Sequence, residues 1–240
     1  MRPIAGGLCA VCGELLLSPY AFSVRSASAE SVLDEFRCGL CQRSEPPYVK
    51  ATAYGSYESG LRELIHLLKY DRVRPAASVL GRMLAEAIED LKPLFGGPVL
   101  VVPVPLHARK LRQRGFNQSE LIARAALKLK PLPGPSLGVG VLERRRETQS
   151  QIGLSRHQRR ENMRGAFAVA KAAEVAEREV LLVDDVFTTG TTVSECARVL
   201  RKAGAAKVYV ATVARTLKAE AQTAELAEDE GARMAMAAAV

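Results

Sequence analysis

The chain has 240 residues, and its hydrophobic share of 48% allows a sizeable core and excludes wholesale disorder. It carries 34 Lys and Arg against 26 Asp and Glu, a net charge of +8 that favours phosphorylated or polyanionic ligands. Aromatic residues make up only 5% and Trp is absent, so a surface built from stacked rings is not expected.

Two C-x-x-C pairs lie in the first fifth of the chain. No apolar run approaches the ~18–20 residues that a membrane span needs, and no secretory signal is present, so we expect a soluble cytoplasmic protein. Thiols stay reduced in that compartment, which favours metal ligands over disulfides. The four thiolates of a structural Zn²⁺ site would come from Cys9, Cys12, Cys38 and Cys41, with Gly13 and Gly39 giving the turns backbone freedom. A redox dithiol or coincidental pairs are the alternatives.

Beyond these cysteines, apolar strands alternate with amphipathic helices. The Glu45-Pro46-Pro47 linker divides a zinc ribbon over residues 1–46 from an α/β domain over 47–216, and an Ala-rich acidic tail follows over 217–240. The periodicity predicts strands at 49–54, 99–102, 166–170, 180–183 and 207–213, and helices at 58–69, 76–91, 117–129 and 192–203. Asn117 is expected to cap the helix at 117–129, and a polar helix is predicted at 155–163. Alternating strands and helices predict a mostly parallel sheet with helices on both faces.

The most informative stretch begins with the apolar strand 180–183 and continues with Asp184 and Asp185. A threonine-rich turn then leads into a helix. Open α/β folds bind ligands beyond the carboxyl ends of their strands, where a helix N-terminus favours a phosphate. Because two carboxylates can accept hydrogen bonds from a diol, the stretch predicts a sugar-phosphate site. A Walker loop is excluded by its missing Lys and second Gly, and an Asp-rich turn that only caps a βα unit is the alternative.

This stretch resembles the phosphoribosyl-pyrophosphate (PRPP) signature of type I phosphoribosyltransferases. The resemblance implies that PRPP, accompanied by Mg²⁺, is bound by Asp184 and Asp185 at the ribose hydroxyls and by Thr188, Thr189, Gly190, Thr191 and Thr192 at the 5′-phosphate. The two aspartates are the catalytic candidates, and neither is assigned as acid or base. Phe187 departs from the signature, in which a smaller aliphatic residue is usual. Thr188 replaces the aspartate of 6-oxopurine salvage enzymes, so that activity is not expected.

Positive charge is concentrated in the middle of the chain. Residues 106–164 contain 14 Lys or Arg and 4 acids, a local net charge of +10. Such a segment is either a solvated basic face or an electropositive rim for pyrophosphate, nucleic acid or both. The arginines that we expect on a basic lid or nucleic-acid face are Arg109, Arg112, Arg114, Arg144, Arg145 and Arg146.

Further motifs resemble the ComF family, and the resemblance extends to about residue 216. These motifs are 102–105 (VPVP), 114–118 (RGFNQ), 148–151 (TQSQ), 160–162 (REN) and 166–167 (AF), and the stretches 63–65 (ELI) and 68–70 (LKY) fit the family pattern too. That family joins an N-terminal zinc ribbon to a type I phosphoribosyltransferase-like, Rossmann-like domain. By this resemblance, Val104, Pro105 and Leu106 form the pyrophosphate loop, and residues 109–118 or 144–151 form a flexible lid. A Pro-Val-Pro sequence that merely ends a strand is the alternative.

The ComF family is associated with DNA uptake in bacterial transformation. The resemblance therefore implies three kinds of partner: PRPP, single-stranded DNA and other DNA-uptake proteins. We expect a PRPP-binding protein that supports the handling of transforming single-stranded DNA. An active phosphoribosyltransferase of nucleotide metabolism, unrelated to DNA uptake, is the alternative.

Overall fold

The computed structural model describes residues 7–16, 36–134, 137–147 and 156–217, with the backbone alone for Arg156, His157, Arg159 and Arg160. The predicted tail beyond residue 217 and the motif at 148–151 lie outside the described residues. The strands are β1 (Lys50–Ser56), β2 (Val99–Pro103), β3 (Leu142–Arg144), β4 (Phe167–Val169), β5 (Glu179–Phe187) and β6 (Lys207–Arg215). The helices are α1 (Gly39–Arg43), α2 (Ser59–Lys69), α3 (Ala76–Glu89), α4 (Ala108–Arg114), α5 (Gln118–Leu129), α6 (Arg156–Met163) and α7 (Thr191–Lys202).

A four-stranded parallel sheet forms the centre of the protein, in the order β1-β6-β5-β2. Its interior strands β5 and β6 are mostly apolar and largely buried, because helices cover both faces. Helices α3 and α5 pack on one face, and α7 packs on the other. The predicted α/β fold with a mostly parallel sheet is confirmed. In the described part of the chain, no helix has the length and apolarity that crossing a bilayer requires.

The strand that carries the two aspartates is longer than predicted. The apolar pattern placed its end at Val183, but β5 continues through both aspartates to Phe187. Strand β6 stays paired with β5 up to Arg215, whereas β2 on the other side ends at Pro103, opposite Val183. The aspartates therefore lie beyond the end of β2, at the carboxyl edge of the sheet, while they still belong to a strand.

Three elements were not predicted, and one predicted strand pairs outside the central sheet. Helix α1 begins at the second cysteine pair, where a tight turn was expected. Strand β3 and helix α4 lie in the basic segment, where the arginine-rich sequence has no apolar period. The strand predicted at 166–170 is β4, which pairs antiparallel with β3 outside the central sheet.

The N-terminal residues pack against the start of β1 and the end of β6. The N–H of Ala51 donates to the carbonyl of Val11 over 2.7 Å. Gly13 has a φ of +68°, and a Cβ there would lie 3.0 Å from the carbonyl oxygen of Ala51, so this turn requires glycine as expected. The same expectation for Gly39 was wrong, because Gly39 begins helix α1 with open space around it. The boundary at residue 46 stays a prediction.

Candidate functional site

The four predicted zinc ligands form a cluster. The Sγ atoms of Cys9, Cys12, Cys38 and Cys41 all lie within 4.8 Å of one another. Those of Cys12 and Cys38 are 3.6 Å apart, close to the ~3.8 Å between two sulfurs bound tetrahedrally to Zn²⁺ at about 2.3 Å. The N–H of Cys38 donates to Sγ of Cys9 over 3.2 Å, which stabilises a thiolate there. The cluster has the ligand type, number and spacing for a metal such as zinc.

The electrostatics of the thiols also fit a cation. A hydrogen bond from Cys12 lowers the pKa of Cys9 to about 4. The same bond raises the pKa of Cys12 well above its usual range, and burial raises the pKa of Cys41 to about 12. These buried thiols cannot all ionise by themselves, whereas a divalent metal binds all of them as thiolates.

We predict that Cys41→Ser lowers the zinc content of the purified protein below that of the wild type and destabilises the N-terminal residues. Loss of one ligand weakens the metal site, and structural metal binding is coupled to folding. Elemental analysis of the purified chain measures the zinc. The matched control is Cys196→Ser, which alters a fully buried cysteine outside the cluster and should retain zinc. Unchanged zinc in Cys41→Ser would contradict the ligand assignment.

The two aspartates are buried and each is held by a different partner. Oδ1 of Asp184 accepts hydrogen bonds from the Ser119 hydroxyl and from the N–H of Asp185, both at 2.9 Å. Oδ2 of Asp185 lies 2.5 Å from the Lys69 ammonium, and its Oδ1 accepts from the N–H of Val186 at 2.9 Å. Helices α2 and α5, which cover the same face of the sheet, thus supply the two side chains that hold the aspartate pair.

One ammonium faces two carboxylates, so this group of three is negative when both acids are ionised. Burial, together with the charge of Asp185, raises the pKa of Asp184 to about 7. Burial also opposes the charged form of Lys69, but the attraction of Asp185 outweighs it and leaves the pKa of Lys69 raised. Asp184 can therefore change its protonation state near neutral pH, and a bound cation or hydroxyl donor would favour its ionised form.

We predict that Asp184→Asn stabilises the ligand-free protein more at pH 8 than at pH 5. Because the pKa of Asp184 is raised in the folded state, its contribution to stability is full below about pH 4 and is lost as the pH rises through about 7. Asparagine cannot ionise, so it avoids that loss. Thermal unfolding of both proteins at pH 5, 6, 7 and 8 measures the difference. Asp71→Asn, at an exposed position, is the control. A difference in melting temperature that does not grow with pH would contradict this explanation.

The threonine turn begins directly after β5. Gly190 has a φ of +74°, and a Cβ there would come within 2.6 Å of the Phe187 ring, so only glycine fits. The hydroxyls of Thr189 and Thr191 are 2.8 Å apart, and Thr188 is exposed. Helix α7 starts at Thr191, with Thr192 next in its first turn. The first N–H groups of a helix have no intrahelical partner, so this turn offers them to an anion.

The predicted pyrophosphate loop is tied to the aspartate pair through α5. The N–H of Val104 donates to the carbonyl of Val183 over 2.9 Å, and the Val104 carbonyl accepts from the Asn117 amide over 3.0 Å. Asn117 also caps α5, as predicted, by accepting from the N–H of Ser119 over 3.1 Å. Pro105 and Leu106 follow, both partly buried. Asn117 therefore holds the predicted pyrophosphate loop beside α5, and Ser119 of the same helix hydrogen-bonds to Asp184 on β5.

The two segments proposed as alternative lids lie side by side. His107 forms an isolated parallel bridge with Arg144, and the Arg109 guanidinium lies 3.5 Å from the Glu147 carboxylate. Partial burial, together with the charges of Arg144 and Arg114, lowers the pKa of Lys110. These contacts gather positive charge from both segments in one place.

Arg144 is the member of this group that lies nearest the interior. Burial lowers its pKa, whereas the charges of Cys196 and Asp184 favour its charged form. Its guanidinium also lies 5.4 Å from the centre of the Phe167 ring. Asp184 therefore acts electrostatically on the basic segment through Arg144.

The other predicted arginines serve different contacts. Arg114 donates to the Gln118 side chain over 2.5 Å, and Arg145 lies 2.5 Å from Glu143. Arg146 donates to two carbonyls at the end of α6, and Arg112 is exposed. Among the described residues, the hydrogen bonds and ion pairs link none of these four arginines to the aspartates.

Three residues of the site were missed from the sequence: Lys69, Ser119 and Arg215. Lys69 lies in a stretch that fits the family pattern. However, nothing in the sequence around a lysine at the end of a helix indicates that it pairs with a buried aspartate. Ser119 follows a predicted cap by two residues. Arg215 is a charged residue at the end of an apolar strand, and this placement was the feature of the sequence that could have identified it. It is 2% exposed, and its guanidinium lies 3.0 Å from the carboxylate of Glu14.

A cleft of about 760 Å³ lies between the threonine turn and the N-terminal residues. The cysteine cluster borders it through Cys12 and Cys41, and the threonine turn borders it through Thr188, Thr189 and Thr191. Its other lining side chains include the apolar Leu40, Pro46, Pro47, Met163 and Phe187 and the charged Arg43, Arg164, Glu195 and Arg198. The cleft therefore offers apolar and charged surfaces next to the turn that can bind an anion.

A parallel sheet with an aspartate pair and a helix N-terminus at its carboxyl edge defines the phosphoribosyltransferase-like class. Residues 126–230 match the family described as phosphoribosyl transferase domain. Competence protein F of Haemophilus influenzae is 32% identical over 213 residues, which cover 87% of this chain and 90% of that protein. DNA utilization protein YhgH of Escherichia coli is 33% identical over 213 residues, covering 88% and 91%. Competence protein ComFC of Streptococcus pneumoniae is 25% identical over 183 residues, covering 75% of each. The chain belongs to the ComF family, as its motifs predicted.

Proposed function

We propose that this protein binds PRPP with Mg²⁺ at the carboxyl edge of its sheet and supports the handling of single-stranded DNA during uptake. The observation that carries the first part is the buried aspartate pair, which lies near the carboxyl end of β5 and is separated from the threonine turn by Val186 and Phe187. The phosphoribosyltransferase domain match supports it. The second part is supported by relatives named as competence and DNA utilization proteins.

In this proposal the aspartates orient the ribose. The carboxylates of Asp184 and Asp185 accept hydrogen bonds from the two ribose hydroxyls, which favours the ionised form of Asp184. Ser119 and Lys69 keep the carboxylates oriented before the ligand arrives, so little ordering is needed on binding. Since Lys69 faces Asp185 in the ligand-free protein, the diol either displaces this ammonium or binds beside it.

The phosphates bind on both sides of the ribose. The 5′-phosphate accepts hydrogen bonds from the first N–H groups of α7 and from the threonine hydroxyls of residues 188–192. The pyrophosphate lies against residues 104–106, with Lys110 and Arg144 balancing its charge. Mg²⁺ bound together with PRPP would supply positive charge to the ligand and would need few protein ligands.

Transferase activity is the second candidate function, and the cleft beside the threonine turn favours it. Its volume of about 760 Å³ is within the range of small-molecule sites. An acceptor held there would form a bond to ribose C1 as the bond from C1 to the pyrophosphate oxygen breaks. The basic side chains would stabilise the charge of the departing pyrophosphate.

We propose that DNA is bound mainly through its phosphates. The basic segment has Phe116 as its aromatic residue, and this ring is 8% exposed with the Arg74 guanidinium 5.4 Å from its centre. Base stacking on that ring is therefore not expected. Arg109, Arg112 and Arg145 are exposed and can reach a polyanion.

We predict that PRPP with Mg²⁺ raises the melting temperature of the wild type but not of the double variant Asp184→Asn with Asp185→Asn. The variant loses both carboxylate acceptors at the ribose, and thermal shift or calorimetric titration measures the response. A control with Asp71→Asn and Asp90→Asn alters two exposed acids and should respond like the wild type. A double variant that responds to PRPP as the wild type does would show that the site is assigned wrongly.

We predict that the affinity for single-stranded DNA falls steeply with salt, by about 10³–10⁵ between 50 and 200 mM if 6–10 phosphates are contacted. Fluorescence anisotropy with a labelled oligonucleotide measures it. Replacing both Arg109 and Arg112 by Gln should weaken binding and flatten the salt slope. Replacing Arg62 and Arg82 by Gln, at exposed positions outside the basic segment, is the control. An affinity that is independent of salt would contradict electrostatic binding.

A further inference from the structure

Arg215 connects the cysteine cluster to the threonine turn. Its guanidinium donates to the carbonyl oxygen of Cys12, a cluster residue, and lies 3.0 Å from the carboxylate of Glu14. Both interactions are buried, since the side chain of Arg215 is 3% exposed and that of Glu14 is 9% exposed. Buried charged hydrogen bonds of this kind are costly to break, so they fix the guanidinium against the backbone of the first cysteine turn.

The other side of the guanidinium faces Phe187. Its central carbon lies 5.0 Å from the centre of the Phe187 ring, which is cation–π distance. Phe187 and Arg215 are also register partners on β5 and β6. The Phe187 carbonyl accepts from the N–H of Thr216 over 3.0 Å, so the backbone is held as well.

The Phe187 ring in turn contacts the threonine turn. Its outer carbon is 2.6 Å from where a Cβ of Gly190 would be, so the ring packs directly on the backbone of this residue. Gly190 sits at the N-cap of α7 with a φ of +74°. A shift of the ring would therefore move the peptide groups from which α7 begins. The smaller aliphatic residue that is usual in the signature could not make this stacked contact.

We propose that Arg215 is a positioning residue that couples the metal cluster to the threonine turn. With a metal bound, the Cys12 carbonyl holds Arg215, Arg215 holds Phe187, and Phe187 holds Gly190 in the shape that binds a phosphate. Metal loss frees the carbonyl and loosens the turn. This inference rests on the proposed PRPP site for its effect on binding, but the effect on the turn itself does not depend on PRPP.

Hydrogen exchange of the ligand-free protein tests the coupling without PRPP. Removing zinc with a chelator should speed exchange at the amide of Ser194, which donates to the Gly190 carbonyl over 2.8 Å, by roughly 5- to 30-fold, the effect of losing one buried cation–π or charged contact. The amides of β2 and α5 serve as an internal control for global unfolding. Unchanged exchange at Ser194 after zinc loss would overturn the proposal.

Variants separate positioning from general stability. Zinc-loaded Arg215→Lys keeps a positive charge near Glu14 but loses the planar stack, so it should speed exchange in the turn while its zinc content stays that of the wild type. Arg201→Lys is the matched control, because Arg201 donates to carbonyls at the opposite end of α7. Phe187→Leu should make exchange in the turn insensitive to zinc. Equal zinc sensitivity in Phe187→Leu and wild type would overturn the proposal.

A calorimetric titration with PRPP and Mg²⁺ completes the test. On the proposal, zinc removal weakens PRPP binding of the wild type by roughly 5- to 30-fold and that of Phe187→Leu by far less. If the zinc-loaded wild type binds no PRPP but the hydrogen-exchange rate in the turn still depends on zinc, the PRPP site is wrong and the positioning role of Arg215 stands. If PRPP binds equally well with and without zinc, the positioning role is wrong and the PRPP site stands.

Discussion

Two adjacent carboxylates near the carboxyl end of an interior strand are costly to bury, because a charged group loses its hydration there. The structure offsets this cost for Asp185 with the Lys69 ammonium and for Asp184 with the Ser119 hydroxyl. Lys69 comes from the end of α2 and Ser119 from the first turn of α5, so both helices must dock correctly for the pair to form. The docking of α2 and α5 is therefore tied to providing partners for the buried carboxylates of Asp184 and Asp185.

These partners do not fully offset the cost of burying the two carboxylates. The remaining cost leaves a group that can respond to a ligand. Asp184 retains a pKa raised to about 7 by burial, so the ligand-free protein holds a carboxyl group whose ionised form is unfavourable. A ligand that donates hydrogen bonds or brings a cation would relieve this. Strongly shifted buried acids at the edge of a parallel sheet are typical of binding and catalytic sites, where stability is given up for function.

Local patterns predicted much of the fold and little of its long-range pairing. Apolar periodicity located α2, α3, α5 and α7, Asn117 was recognised as a cap, and two C-x-x-C pairs indicated the metal cluster. The end of β5 was missed because it depends on β6, a partner strand that no local pattern describes. The partners Lys69, Ser119 and Arg215 were missed for the same reason, since each contacts a residue distant in sequence. Strand β3 and helix α4 lack an apolar period altogether.

The most direct measurement of the central claim is a crystal structure of the zinc-loaded protein with PRPP and Mg²⁺. The proposed site predicts both ribose hydroxyls within hydrogen-bond distance of the Asp184 and Asp185 carboxylates. It also predicts the 5′-phosphate at the first amides of α7. Electron density for the ligand elsewhere, with the threonine turn unoccupied, would contradict the account.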